Sequence, residues 1–234
     1  MDRSALAALF LNFTSHFLQK AHAMHYITMH LDFVSPYAWL AFQQLPQTLQ
    51  GLNVHVTYRP VLLGALLRHS NNPGPMETPA KRLWTYRHTE WLGQHLGVPL
   101  QTPANHPFNP LPLLRLALHT SEDGSINRYV AETVFRHVWE GGGDALDPAR
   151  LQALQTTLAA QINPAPDIAD QAKQWLRSNT EAASAQDIFG VPAFEIAGLV
   201  FWGLDSLPML RDFLDGHPWF TSGAWENANT VSRV

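Results

Sequence analysis

The stretch Tyr26-Ile27-Thr28-Met29-His30-Leu31-Asp32-Phe33-Val34-Ser35-Pro36-Tyr37 changes its period halfway along, and that change decides the fold. Over residues 26–33, Ile27, Met29, Leu31 and Phe33 alternate with Thr28, His30 and Asp32, the period of two of a strand with distinct faces. At Ser35-Pro36 the pattern turns helical. Serine can cap a helix, proline suits its first position, and Tyr37, Ala41, Leu45 and Leu49 follow four apart. Pro46 is expected to kink this helix or end it early, and Gly51 to close it. Val54, Val56 and Tyr58 then alternate with His55, Thr57 and Arg59 before Pro60, which completes a βαβ unit with parallel strands.

Residues 62–189 carry helical patterns and no convincing strand. A helix is expected over 80–96. Val130, Val134 and Val138 share one face of another, which ends at Gly141-Gly142-Gly143. Asp147-Pro148 opens a further helix with Leu151, Leu154, Leu158 and Ile162 at helical spacing. Ile168, Ala172 and Trp175 mark the next, and a last one is expected over 181–189. Ala193–Ile196 and Leu199–Trp202 then read as strands joined by Ala197-Gly198, and a helix over 206–214 stops at Gly216. The order is that of an α/β fold, a four-stranded sheet whose halves are separated by a large all-helical insertion. The expected division is an N-terminal extension over 1–24, a sheet domain from 25–62 and 190–234, and an inserted helical domain over 63–189.

Composition narrows the function. With 15 Lys and Arg against 19 Asp and Glu in 234 residues, and no basic run, the chain offers no surface that collects phosphates. Nucleic acid is therefore not an expected partner, and the substrate is expected to be small. Cysteine is absent, so the chain carries neither a disulfide framework nor a redox dithiol. His22, His25 and His30 lie close together without a cysteine or carboxylate at ligand spacing, and no metal site is expected. The first two dozen residues stay open to three readings: an amphipathic arm, a start that precedes the true one at Met24, or a signal peptide ending at Ala21-His22-Ala23. A soluble cytoplasmic protein without a membrane span is the expectation.

Five short motifs carry a family resemblance. Asp32-Phe33-Val34-Ser35-Pro36-Tyr37, Arg59-Pro60 with Leu63-Gly64-Ala65, Pro79-Ala80-Lys81, Phe189-Gly190-Val191-Pro192, and Phe201-Trp202-Gly203-Leu204-Asp205 together resemble the 2-hydroxychromene-2-carboxylate isomerases over residues 24–214. Those proteins are similar to kappa-class glutathione transferases and to the DsbA branch of the thioredoxin superfamily. The resemblance implies a thioredoxin-like fold, glutathione as cofactor, a role in aromatic catabolism and a homodimer.

The Ser35 position has chemistry of its own. A helix N-terminus presents unpaired N–H groups and partial positive charge, which favour an anion there. No cysteine of this chain can supply that anion, so an external thiol must. A free thiol titrates near ~8.5, and a site that favours thiolate therefore gains nucleophile at neutral pH. Ser35 is expected to donate to that sulfur, although it could serve only as a cap.

At Val191-Pro192 the resemblance implies a cis proline that leaves the Val191 backbone free to pair with an extended peptide such as glutathione, unless the proline simply opens a strand. The motif also brings in Trp202 and Gly203, and sets Asp205 against the α-amino group of the γ-glutamyl end. Asp205 could equally cap the helix that follows. Leu204 departs from the polar residue common among related binders, which leaves backbone N–H groups to hold the γ-glutamyl carboxylate.

A carboxylate-bearing aromatic substrate wants a cation and a flat apolar wall, for which Lys81, Trp84 and Tyr86, on a helix that the resemblance places over the cleft, are the candidates, with Lys81 also open to a plain surface role. By the resemblance, His106 and Asn109 reach the substrate as well, His106 to assist proton transfer. His88 and Trp91 depart from the aspartate and arginine that the resemblance leads one to expect. Two other functions stay open: a kappa-like transferase that releases a glutathione conjugate, and a non-catalytic thioredoxin-fold adapter.

Overall fold

The computed structural model describes residues 24–228; the readings of the N-terminal extension and of His22 fall outside them. Four strands form one sheet in the order β2-β1-β3-β4: β1 (His25–Leu31), β2 (Val54–Pro60), β3 (Ala193–Ile196) and β4 (Leu199–Trp202). β1 pairs with β2 in parallel and with β3 antiparallel, and β3 pairs with β4 antiparallel. The helix α1 (Pro36–Thr48) crosses between the parallel strands, as a βαβ unit requires. Ala197 and Gly198 join β3 to β4 with φ of 51° and 79°. Two consecutive left-handed residues match the right-handed twist of the paired strands.

Helices α2 (Leu63–His69), α3 (Gly74–Glu77), α4 (Pro79–Leu96), α5 (Leu111–Leu118), α6 (Arg128–Trp139), α7 (Pro148–Leu158) and α8 (Ile168–Ala185) lie between β2 and β3. The last helices, α9 (Leu207–Asp215) and α10 (Ala224–Asn227), follow the sheet. Val130, Val134 and Val138 of α6 are fully buried, each contributing about 1.5–3 kcal/mol of apolar burial. Phe135 of α6 packs on Phe33, Trp39 and Phe42, so the helical block and the sheet side share one core. Among the described residues no helix is long and apolar enough to cross a membrane.

Three expectations about the helices change. Pro46 lies inside α1, which continues to Thr48, so the proline disturbs only the last turn. The two helices expected around 168–175 and 181–189 are one, α8, and it stops at Ala185. Ser178-Asn179-Thr180 does not break it, because Asn179 donates to the Pro60 and Gly124 carbonyls and Thr180 accepts from the Leu62 N–H. The core face continues through these polar side chains. Ile162 likewise falls past the end of α7, beyond a short 3-10 turn at Ala159–Gln161.

Candidate functional site

Ser35 opens α1 as its N-cap, in extended backbone with φ −92° and ψ 116°, and Pro36 follows at the first helical position. Its hydroxyl accepts from the Ala38 N–H at 3.2 Å and donates to the Val191 carbonyl at 3.3 Å. An O–H···O bond is ordinarily 2.7–2.8 Å, so the second is weak and the proton is easily redirected. Pro36 has no N–H to offer, and among the described residues the Tyr37 N–H has no partner. The first turn of α1 therefore keeps two adjustable donors, one a hydroxyl and one a backbone amide.

Asp32, three residues earlier, sets this turn. It is fully buried, with one carboxyl oxygen accepting from Val34 N–H at 3.2 Å and the other from Leu63 N–H at 2.9 Å, while its carbonyl accepts from Ser35 N–H at 3.1 Å. It thus joins the β1–α1 loop to the start of α2. Burial pushes its carboxyl up to about 7 against the opposing pull of those N–H groups. The strand alternation marks Asp32 as polar but gives no sign that it is enclosed.

The opposite edge comes from the sheet. The Val191-Pro192 peptide is cis, as the resemblance implied. Gly203 N–H donates to the Pro192 carbonyl at 2.9 Å, which ties the two ends of the β3–β4 hairpin together, and the Val191 N–H is unpartnered among the described residues. Trp202 is half exposed, lies against Phe189 with ring centroids 4.7 Å apart, and covers Gly190, where a Cβ would come within 2.9 Å of the indole nitrogen. Gly203 has φ +96° and carries the Asp205 carboxylate folded over it. Asp205 caps no helix: Ser206 is the N-cap of α9, with no side-chain cap bond, and the carboxylate has neither hydrogen bond nor ion pair among the described residues. The backbone N–H groups of Leu204 and Asp205 are also unpartnered there.

The third wall is α4 and the loop before α5. Lys81 and Trp84 are exposed on α4, their side chains without hydrogen-bonded partners among the described residues, and Trp84 stacks on His88 at 5.7 Å and 18°. Asn109 is exposed and caps the Leu111 N–H at 3.1 Å. His106 is more committed than its position suggests. Its Nε2–H donates to the Val34 carbonyl at 2.9 Å and its Nδ1 accepts from the Tyr86 hydroxyl at 2.9 Å, so both ring nitrogens are engaged. Burial holds its imidazole below the ordinary value, opposed by the Val34 bond, and the neutral ring fits this donor–acceptor pattern.

Of the residues singled out in the sequence, Ser35, Lys81, Trp84, His106, Asn109, Val191, Pro192, Trp202, Gly203, Leu204 and Asp205 line one cleft of about 1670 Å³, whereas Tyr86 is not part of its lining and turns its hydroxyl to His106. A small-ligand pocket is ordinarily ~300–1,000 Å³, so this cleft has room for a peptide and a second molecule. Arg68, Tyr37 and His88 also line the cleft, and none of the three was expected to bind or to act on a ligand. Arg68 of α2 projects there without a carboxylate partner among the described residues, and Tyr37 and His88 bond to each other at 2.9 Å. Arg68 gives no sequence signal beyond an isolated cation.

The sequence pattern of the DSBA-like thioredoxin domain matches residues 26–215. Glutathione S-transferase kappa 1 of Homo sapiens is 24% identical over 208 positions, covering 82% of this chain and 92% of the transferase. The 2-hydroxychromene-2-carboxylate isomerase of Pseudomonas putida is 28% identical over 191 positions, covering 79% of this chain and 92% of the isomerase. A solved structure of a 2-hydroxychromene-2-carboxylate isomerase superposes with a TM-score of 0.65 at 22% identity, covering 88% of this chain and 100% of that one, which shows a shared fold.

Proposed function

The chain belongs to the DSBA-like thioredoxin domain family, and from that premise we propose that it is an isomerase that uses glutathione as a returning cofactor. The observation that carries the reading is a helix start facing a two-ligand cleft in a chain without cysteine. Glutathione would place its sulfur at the Ser35 hydroxyl and the Tyr37 N–H, and pair its cysteinyl backbone with the unpartnered Val191 N–H. The Asp205 carboxylate suits its α-ammonium, and the N–H groups of Leu204 and Asp205 suit the neighbouring carboxylate. Arg68 offers a cation for a further carboxylate at this face of the cleft.

The remaining volume, walled by Trp84 and supplied with Lys81, suits a flat aromatic carboxylate of the hydroxychromene type. In its ring-opened form such a substrate is a conjugated ketone. The thiolate would add to the carbon β to the carbonyl as the C=C pair shifts to join the α carbon to the carbonyl carbon and the C=O pair moves onto oxygen, leaving a single bond between the α and β carbons free to rotate. Reversal would expel the thiolate and restore the double bond in the other geometry. Splitting the isomerisation into addition and elimination is covalent catalysis by a nucleophile that leaves unchanged. His106 would act here by holding the Val34 carbonyl in place, and Asn109 would border the substrate. A cytoplasmic setting, with its reduced glutathione pool, fits such a cofactor.

The likeness to the kappa transferase favours a second outcome, in which the adduct is released. Incubation with glutathione and 2-hydroxychromene-2-carboxylate separates them. The isomerase reading expects the open-chain trans isomer with free glutathione undiminished. A conjugate with equimolar loss of glutathione assigns the chain to transfer, and no reaction of either kind leaves a thioredoxin-fold adapter.

A further inference from the structure

Tyr37 follows Ser35 by two residues, yet its side chain leaves the first turn of α1 and reaches α4, where its hydroxyl meets His88 Nδ1 at 2.9 Å. It is half-buried and lines the cleft, between Ser35 and Asp205 on one side and Trp84 and His88 on the other. Burial, with the Asp205 charge added to it, pushes its hydroxyl above the ordinary value, so Tyr37 holds its proton. His88 is fixed in turn. Its ring lies between Trp84 and Trp91, nearly parallel to both at 18° and 11°, and its Nε2 has no partner among the described residues. The phenol thus lines the cleft with its oxygen anchored from behind by His88.

On the reading of the site given above, thiolate addition moves an electron pair onto a substrate oxygen, and that oxygen needs a proton or a strong hydrogen bond. We propose that Tyr37 supplies it and that His88 is the positioning residue. In the tautomer with hydrogen on Nδ1, His88 donates to the phenol oxygen and the phenol O–H points into the cleft. As the sulfur–carbon bond forms and the C=O pair moves onto the carbonyl oxygen, that oxygen takes the Tyr37 proton. The phenolate left behind is held by the Nδ1–H. When the thiolate leaves, the double bond re-forms and the proton returns to Tyr37, so no co-reactant is consumed. Donors preorganised where charge develops are the strongest means of lowering such a barrier.

The experiment compares two electrophiles with glutathione: 4-phenylbut-3-en-2-one, whose addition product is an enolate, and 1-chloro-2,4-dinitrobenzene, which expels chloride and forms no enolate. Tyr37→Phe is expected to lower kcat on the enone by about 10²-fold, the low end for general acid catalysis, with KM little changed. Its rate on the chloride should fall at least about tenfold less than on the enone. His88→Ala should lower the enone rate in the same sense, and His88→Asn, which retains a donor, should recover much of it. Equal losses on both electrophiles, or none on either, overturn the assignment of Tyr37 while leaving the glutathione site standing. Wild-type protein that turns over neither probe overturns the site reading and this one with it.

Discussion

The Ser35 hydroxyl donates to the Val191 carbonyl at 3.3 Å, across 156 residues of sequence, while its own oxygen accepts from Ala38 N–H. One atom therefore caps the central helix, touches the proline loop and faces the cleft. These tasks separate by substitution. Ser35→Ala should cost about 1 kcal/mol through the lost cap, whereas Ser35→Gly should cost only a few tenths. Thermal melts should then show a drop of about 2–4 °C for alanine and little for glycine. Both variants lose the donor, so both should lose glutathione-dependent turnover to the same degree. Turnover that tracks the melting temperature instead would make Ser35 a cap alone.

Asp32 gives a pH dependence with a definite sign. Its carboxyl is raised in the folded protein to about 7 from 3.8. The folded state therefore binds the proton more tightly, and the stability this contributes is fully present below pH 3.8 and lost as pH rises through 7. Between those limits the slope from this group approaches about 1.4 kcal/mol per pH unit. Asp32→Asn is expected to be less stable at low pH, since its amide can accept only one of the two N–H bonds, but to lack that slope. Chemical denaturation of both proteins from pH 4.5 to 8 measures it. Parallel curves would contradict the raised value.

Asp205 is exposed, which limits what it can contribute. An exposed ion pair is worth about 0.2–1 kcal/mol, so Asp205→Asn should raise the glutathione dissociation constant only about two- to fivefold. The effect should shrink with added salt and vanish for a glutathione analogue without its α-amino group. A loss that persists with that analogue would place Asp205 against some other part of the ligand.

Gly203 carries a sharper prediction. Its φ of +96° disfavours any side chain, and a Cβ there would collide with the Asp205 carboxylate. Gly203→Ala should destabilise the fold by about 1–3 kcal/mol, because its φ of 96° and ψ of 162° fall where essentially only glycine is found. By displacing the carboxylate it should also weaken glutathione binding at least as much as Asp205→Asn. Unchanged binding would mean that the carboxylate position does not matter.

Much of this was legible in the sequence. The period-two runs mark β1, β2 and the hairpin; the hairpin limits agree with the structure, whereas β1 ends at Leu31, before the alternation does, because the Asp32 side chain turns to the Val34 and Leu63 N–H groups. What stayed hidden were polar groups whose partners are far away in the chain. Asn179 and Thr180 look like a helix break until Pro60, Gly124 and Leu62 are seen to satisfy them. His106 looks like a free base until Val34 and Tyr86 occupy both nitrogens. The Tyr37–His88 pair spans 51 residues, and neither residue announces the other. The motifs located the cleft, since Ser35, Lys81, Val191, Pro192, Trp202, Gly203, Leu204 and Asp205 all line it, but they did not show which side chains there were already engaged.

The central claim is that the start of α1 stabilises a thiolate brought in by glutathione. It is tested most directly by titrating glutathione into the protein at neutral pH while following thiolate ultraviolet absorbance, with Ser35→Ala in parallel. The account predicts a saturable thiolate signal for the wild-type chain and its loss in the variant. A wild-type protein that binds glutathione without the signal, or does not bind it, would contradict the claim.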